Sequence, residues 1–400
     1  MRGGWDVIVV GARCAGSPLA MLLARRGYRV LLADRDSFPS DTISSHQVHQ
    51  TGLARMKRWG LLDDLLATGC PPVTGGRFDM PVGIIAGDLV ASDEVAITCI
   101  PRRHILDTLL ARAAAAAGAE LREGFRVTGL VTEGDAVVGI KGAARGGREV
   151  TERAAIVVGA DGRNSTIARL VGAPRYRDDG THTVQYYSYW GGADHPDPTL
   201  YTRADWGVAV GPTHDGLTIV SMGATPAFVS EFRHATDAAF QRRIESIPTL
   251  AERLAPGKRA EPFRGLVDIP NFRRQSHGPG WALAGDAGYY KDPITAQGIS
   301  DAFRDADDLS EAIHRGLSGG EDMAAAVAGY QRTRDEATAA AYDWTLLSTM
   351  FVPDERNTHA FLRQVSLDPD LSRMFVNLNS ATTDFGAMST LARERARSTV

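Results

Sequence analysis

The feature that most constrains the fold is a short apolar run, Val7-Ile8-Val9-Val10, that leads straight into Gly11-Ala12-Arg13-Cys14-Ala15-Gly16. A run without alternation is the pattern of a strand buried on both faces, as in a parallel sheet covered by helices. Leu19, Leu22 and Leu23 then share one helical stripe, Pro18 is tolerated in a first turn, and Gly27 ends the helix. Val30-Leu31-Leu32-Ala33 reads as a second buried strand closed by Asp34-Arg35, so the unit is strand, helix, strand with a right-handed crossover. In such a unit Gly11 makes the tight turn and Gly16 lets the helix pack on the strand. The helix N-terminus faces a pyrophosphate, and Asp34 accepts from a ribose hydroxyl. Arg13 stands where a second glycine normally lets the backbone approach phosphate. Its guanidinium can compensate by pairing with phosphate or stacking on adenine. Taken alone, this damaged pattern fits a plain glycine-rich turn as well as a bound dinucleotide.

The rest of the chain predicts an α/β protein of more than one domain. A helix is expected around Leu53 to Leu66, strands of a more antiparallel sheet from Pro71 to Ile100, and an Ala-rich helix from Ile105 to Gly118. Ala155 to Val158 and Trp281 to Ala284 read as further buried strands, 176–269 as strand-rich, and the chain from Ile299 onward as mainly helical. With 44% hydrophobic and 23% charged residues, 400 residues bury a sizeable core. A formal net charge of −4 gives no basic field for nucleic acid or an anionic membrane, so a small-molecule substrate is expected. Cys14, Cys70 and Cys99 show neither pairing nor ligand spacing, which points to a reducing, cytoplasmic setting. No apolar run is long enough to span a bilayer, and no stable membrane association is expected. His46 and His49 lie three apart, yet no further ligand accompanies them, so no metal site is expected. The spacing of residues says nothing about oligomeric state.

Two more junctions follow buried strands: Val158-Gly159-Ala160-Asp161-Gly162-Arg163-Asn164-Ser165 and Leu283-Ala284-Gly285-Asp286-Ala287. Together with the Gly11–Gly16 loop, their order and spacing resemble the FAD-dependent class A monooxygenase superfamily of para-hydroxybenzoate hydroxylase type. That superfamily includes flavin halogenases and geranylgeranyl-reductase-like enzymes. The resemblance covers about the first 315 residues. It implies a Rossmann-like FAD-binding domain (1–75, 101–175 and 270–315) interlocked with a mainly antiparallel β-sheet substrate domain (76–100 and 176–269), followed by C-terminal helices (316–400). By the same resemblance Gly11, Ala15 and Gly16 belong to the pyrophosphate loop, and Asp34, beside Arg35, is the adenosine-ribose acid. Arg103 contacts FAD, Asp286 binds the ribityl chain, and Gly298-Ile299 supply backbone beside the flavin ring. One departure concerns Arg169, which follows Ser165 by four residues where the family pattern has three.

The loop Tyr289 to Gly298 leads into a helix start, where unsatisfied amides suit the negative charge of a reduced flavin. An oxygenase must also keep activated oxygen dry, and Tyr186, Tyr187, Tyr189, Trp190, Tyr201 and Trp206 are the expected wall of that pocket. His46 is a weak candidate for a base or flavin contact. Cys14, at a helix start, is expected to pack structurally. The leading expectation is a monooxygenase that hydroxylates or epoxidises a small organic, aromatic or polyketide-like, substrate. NADPH or NADH is the transient electron donor, with a separate flavin reductase as the alternative partner. A geranylgeranyl-reductase-type reductase or dehydrogenase and a cyclase using FAD structurally are the other readings. A halogenase is disfavoured, because no lysine lies between Lys57 and Lys141 and only Tyr189-Trp190-Gly191 stands in for that group's Trp-x-Trp-x-Ile-Pro run.

Overall fold

The computed structural model describes residues 4–193, 197–352 and 355–398. Its first sheet runs in the order His277–Gly278, Trp281–Leu283, Val150–Gly159, Trp5–Val10, Val30–Ala33, Glu120–Arg122, and all but the first pair are parallel. Val7 and Val9 point into one apolar cluster with Leu19, Leu23, Leu106 and Phe303, while Ile8 and Val10 point into another with Phe125, Ile140 and Ile167. Burial on both faces is why the run has no polar alternation. Helices Gly16–Arg25, Arg103–Ala116 and Gly298–Leu317 cover the first face. A hairpin of Phe125–Glu133 and Ala136–Ala144 covers the second.

The second sheet runs Lys258–Arg259, Val184–Gly191, Leu217–Ala224, Trp206–Pro212, Thr199–Thr202, Gly75–Met80, Gly83–Asp88, with Arg264–Leu266 also paired to Val184–Gly191. It is antiparallel except where Thr199–Thr202 meets Gly75–Met80. One face carries Val184, Tyr186, Val208, Val220 and Met222 and packs on Phe232, Phe240 and Leu250 of helices Val229–Glu245 and Pro248–Leu254. The opposite face looks toward the first sheet. Three further strands, Arg175–Thr181, Pro270–Arg274 and Tyr289–Tyr290, form a small sheet of their own. Helices Met323–Ser348, Arg356–Leu367, Pro369–Leu378 and Phe385–Ser398 follow. Leu362, Val365, Leu371 and Phe375 of these helices close over Phe78 and Ile85 of the second sheet. Among the described residues no helix is long and apolar enough to cross a membrane.

The α/β architecture agrees with the sequence reading; several elements differ. The stretch 176–269 is not strands throughout, because Phe232, Ala239, Phe240 and Ile244 recur at helical spacing and bury one face of a helix. The helix expected over 53–66 is two, Gln50–Trp59 and Leu62–Ala67, separated where Gly60 adopts φ 77° as a left-handed cap. The hairpin over 125–144 was not anticipated.

The approach of the first helix to the first strand is close. A Cβ on Gly16 would lie 1.8 Å from the Gly11 carbonyl oxygen, and one on Gly11, at φ 105°, would lie 2.4 Å from the Ala160 carbonyl oxygen. Both contacts are with backbone, which cannot swing away. Gly16→Ala is therefore expected to destabilise the fold by roughly 3 kcal/mol or more, seen in thermal melts of the purified protein; a wild-type melting curve would contradict the packing described.

Candidate functional site

A cleft of about 510 Å³ opens along the ends of the parallel strands, where loops rather than side-chain ladders finish each element. Gly11, Arg13, Ala15, Asp34, Arg35, Arg103, Asp286, Gly298 and Ile299 all line it. Nine positions scattered over 289 residues thus meet in one place. Gly16, the tenth expected cofactor residue, is not in the cleft lining and makes the helix–strand contact instead.

The Asp34 carboxylate accepts from the Ala12 amide at 2.6 Å and the Asp36 amide at 2.8 Å. It therefore ties the end of the second strand to the glycine loop, and burial raises its pKa. Arg35 is exposed at the rim. Arg13 is held by protein carboxylates: its guanidinium lies 2.6 Å from Asp107 and 2.9 Å from Asp36, with the Ser40 hydroxyl also at 2.9 Å. Asp107 is fully buried and accepts from Arg103 as well, at 2.9 and 3.0 Å. The Cys14 thiol donates to the same carboxylate at 3.3 Å, and burial pushes that thiol's pKa up, so Cys14 is a packing residue and not a nucleophile. Two arginines on the cleft wall thus share one buried anion. Such an arrangement holds positive charge in fixed positions for an anionic ligand.

Asp286 lies on the turn after Trp281–Leu283. The turn is fixed from behind, where the Gly285 amide donates to Asp305 at 2.8 Å. The Asp286 carboxylate makes no hydrogen bond with the described residues, and burial, partly offset by Arg103, raises its pKa to about 6. A carboxylate without a protein donor at a cleft wall matches a ligand rich in hydroxyl groups. Beyond it, open space surrounds the Cβ direction of Gly298, the first residue of a twenty-residue helix, so backbone there can meet a planar ring. The residues that line the cleft, from Asp34 through the paired arginines to Asp286 and Gly298, are therefore of a kind that fits FAD. Lys291, which the sequence reading passed over, also lines the cleft. Its ammonium is 2.7 Å from Asp301 and donates to Gln297. Burial would raise the Asp301 pKa, but Lys291 and Arg304 bring it down to about 2. No motif spacing marks this lysine, because its partners are brought to it by the fold of the 291–298 loop.

A second cavity, of about 590 Å³, adjoins the cleft; Ser45, Gln185, Ser221 and Pro293 line both. Its walls are mainly apolar, and the titratable groups on them are His49, Arg77 and Glu355. The expected aromatic wall is mostly elsewhere. Tyr186, Trp190, Tyr201 and Trp206 lie on the far face of the sheet against the 229–254 helices. Alternation along the strand leaves Tyr187 and Tyr189 on the near face, and only Tyr187 reaches the cleft. The aromatic wall of the cavity comes instead from Phe78 and from Trp344, Phe361, Phe375 and Phe385 of the C-terminal helices, with Trp344 and Phe385 stacked at 5.5 Å.

His46 is not placed to act as a base on substrate. Its backbone holds φ 65°, its ring is fully buried and touches neither cavity, and both nitrogens are engaged, with the Ser44 carbonyl at 2.7 Å and the Tyr189 hydroxyl at 2.7 Å. Burial, reinforced by Arg103, lowers its pKa to about 3. The Ser44 carbonyl accepts from Nδ1, so Nε2 accepts from Tyr189. His49 is the histidine on a cavity wall, its Nε2 donating to the Thr295 carbonyl at 2.9 Å; burial lowers its pKa to about 4 and keeps it neutral. Arg169 is exposed in the last turn of helix Thr166–Leu170, away from the cleft. Asp161, by contrast, accepts from the Ser165 hydroxyl and from the Thr166 and Ile167 amides, so much of that motif caps a helix. Among the described residues no group of three or more His, Cys, Asp or Glu is arranged to hold a metal ion.

A parallel-sheet cleft with this donor set defines a dinucleotide-binding α/β protein. The chain belongs to the FAD binding domain family, whose model matches residues 4–345, and hence to the FAD-dependent class A flavoprotein superfamily of oxidoreductases. It is 28% identical over 339 residues to the digeranylgeranylglycerophospholipid reductase of Methanosarcina mazei, covering 80% of this chain and 78% of that protein. It is 29% identical over 332 residues to the 6-methylpretetramide 4-monooxygenase of Streptomyces rimosus, covering 78% and 76%. In fold it is similar to the flavin-dependent brominase Bmp2, with a TM-score of 0.82 at 20% identity, over 99% of this chain and 100% of that one.

The raised Asp286 pKa carries a pH consequence. With about 3.8 as the ordinary value and about 6 in the fold, the folded apoprotein holds a proton between those values that the unfolded chain has released. Stability from this group is therefore lost as pH rises from 4 through 6. Asp286→Asn removes the effect, so the variant apoprotein should be more stable than wild type at pH 7 by about 1–2 kcal/mol, with the advantage gone near pH 4. Equal pH profiles in chemical denaturation would show that the carboxylate is not under this burial pressure.

Proposed function

We propose that this chain is an FAD-dependent monooxygenase that inserts one oxygen atom into a small, neutral, largely apolar organic molecule, by hydroxylation or epoxidation. The observation that carries the reading is the mainly apolar cavity joined to the cleft at Ser45, Gln185, Ser221 and Pro293. Its aromatic wall suits a ring-bearing, aromatic or polyketide-like substrate, and His49 stays neutral, which leaves Arg77 and Glu355 as the charged groups on a mainly apolar lining. FAD, when bound, supplies two-electron reduction of dioxygen. The chain's own part is to seat FAD with Asp34, Arg13, Arg103, Asp286 and the Gly298-Ile299 backbone, and to keep bulk water from the reacting edge with the C-terminal helices. One oxygen atom enters the substrate and the other leaves as water. The two electrons come from NADPH or NADH, directly or through a separate flavin reductase. A cytoplasmic setting, where the three buried thiols stay reduced, accords with this electron supply.

Incubation with FAD, NADPH or NADH, and neutral polycyclic phenols and ketones under 18O2 tests the reading. One 18O atom in the product is expected. A product that gains two hydrogens and no 18O would replace the proposal with a reductase of geranylgeranyl-reductase type. Turnover with a redox-inert FAD analogue would replace it with a cyclase.

The role assigned to Arg13 has its own test. Without its guanidinium, Asp36 at the cleft wall would lose its cationic partner, and Asp107 would keep only Arg103. Arg13→Gly is expected to weaken FAD binding about tenfold, or ~1.4 kcal/mol, in a titration followed by flavin fluorescence. Unchanged affinity would show that the arginine is merely tolerated in place of the usual glycine.

A further inference from the structure

Tyr187 is 3% exposed, and no group among the described residues accepts its hydroxyl proton. Buried hydroxyls are ordinarily satisfied, and leaving one without a partner is costly. Its ring is fixed edge-on against His46 at 5.3 Å and Tyr189 at 5.8 Å, and His46 is itself pinned by Ser44 and Tyr189. The hydroxyl is thus held in one place. The Ser44 backbone lies beside it, but an amide there offers the phenol a donor, and the proton still lacks an acceptor among the described residues. Asp41, a carboxylate in its surroundings, is paired with Arg264 at 2.9 Å. Burial pushes the phenol up to about 12, so it stays protonated at neutral pH.

The missing acceptor belongs to something that enters the cleft. Tyr187 lines the cleft but not the apolar cavity. It stands opposite Ser221 in the sheet and two residues from Gln185 on the same face, and those two line both spaces. Pro293, also shared, sits on the loop that leads to Gly298. These shared residues mark the end of the cleft that opens on the apolar cavity, where the planar end of FAD is expected. We propose that the Tyr187 hydroxyl donates a hydrogen bond to an acceptor atom of the flavin ring from the sheet wall of the cleft. Such a donor strengthens its bond as the ring gains electrons, so it stabilises the reduced cofactor without needing to move.

Tyr187→Phe in the FAD-loaded protein tests this without reference to turnover. FAD should remain bound, its visible absorption bands should shift, and its two-electron midpoint potential should fall by about 30 mV, a tenfold loss of preference for the reduced form. The apoprotein should melt no lower than wild type, since the change removes a hydroxyl that has no acceptor. Tyr189→Phe removes a hydroxyl that is bonded to His46 and should do the reverse, lowering the melting temperature and leaving the potential in place. Wild-type bands and potential in Tyr187→Phe would overturn the proposal, as would equal potential shifts in both variants. A lowered melting temperature of the Tyr187→Phe apoprotein would also overturn it, by showing that the hydroxyl has a protein partner. So would a change confined to binding of a neutral probe such as 2-naphthol, which would assign the donor to the substrate.

Discussion

The close backbone approach at Gly11 and Gly16 is the contact on which the site depends. With no Cβ at either position, the first helix starts directly over the end of the first strand, and its leading amides open onto the space between the strand ends. That position also lets Asp34, at the end of the adjacent strand, reach the Ala12 amide and close the loop. The neighbouring strand Val150–Gly159 brings Ala160 against Gly11, and Trp281–Leu283 beside it brings in Asp286. Three junctions therefore converge because four parallel strands are in register, and the cleft is the gap their loops leave.

Electrostatics then divides the molecule. The cleft concentrates charge: Asp107, buried beneath it, fixes Arg13 and Arg103, while Lys291, Asp301 and Arg304 form a second network near the helix start at Gly298. Removing one partner from a buried pair of this kind typically costs roughly 3–5 kcal/mol, so these side chains have little freedom to drift. Arg13 occupies the place of a phosphate-approaching glycine without filling the cleft, because Asp36 and Asp107 draw its guanidinium onto the wall. The adjoining cavity is the opposite case, apolar and lined by few titratable groups. The junction between them carries only neutral groups, Ser45, Gln185, Ser221 and Pro293.

What the sequence made legible is local. Val7 to Val10, the Gly11–Gly16 loop, Asp34 and the turns at Asp161 and Asp286 each announce themselves within a dozen residues, since a buried strand and the turn that ends it are adjacent in the chain. The cavity is not local. Nor is the sheet wall of the cleft: whether Tyr186 or Tyr187 faces the cleft depends on a one-residue register in the strand Val184–Gly191, and that register is set by pairing with Leu217–Ala224. Trp344, Phe375 and Phe385 become cavity walls only because their helices fold back onto Gly75–Met80. The reading of His46 failed for a similar reason: its partner Tyr189 lies 143 residues away and takes up the nitrogen that a base would need free.

The central claim is that the cleft seats one FAD. Visible absorption of the purified protein, with titration of the apoprotein by FAD, tests it most directly. The account predicts a yellow protein or a colourless one that takes up one equivalent of FAD per chain with a perturbed flavin spectrum. A folded chain that neither carries nor takes up FAD would contradict it.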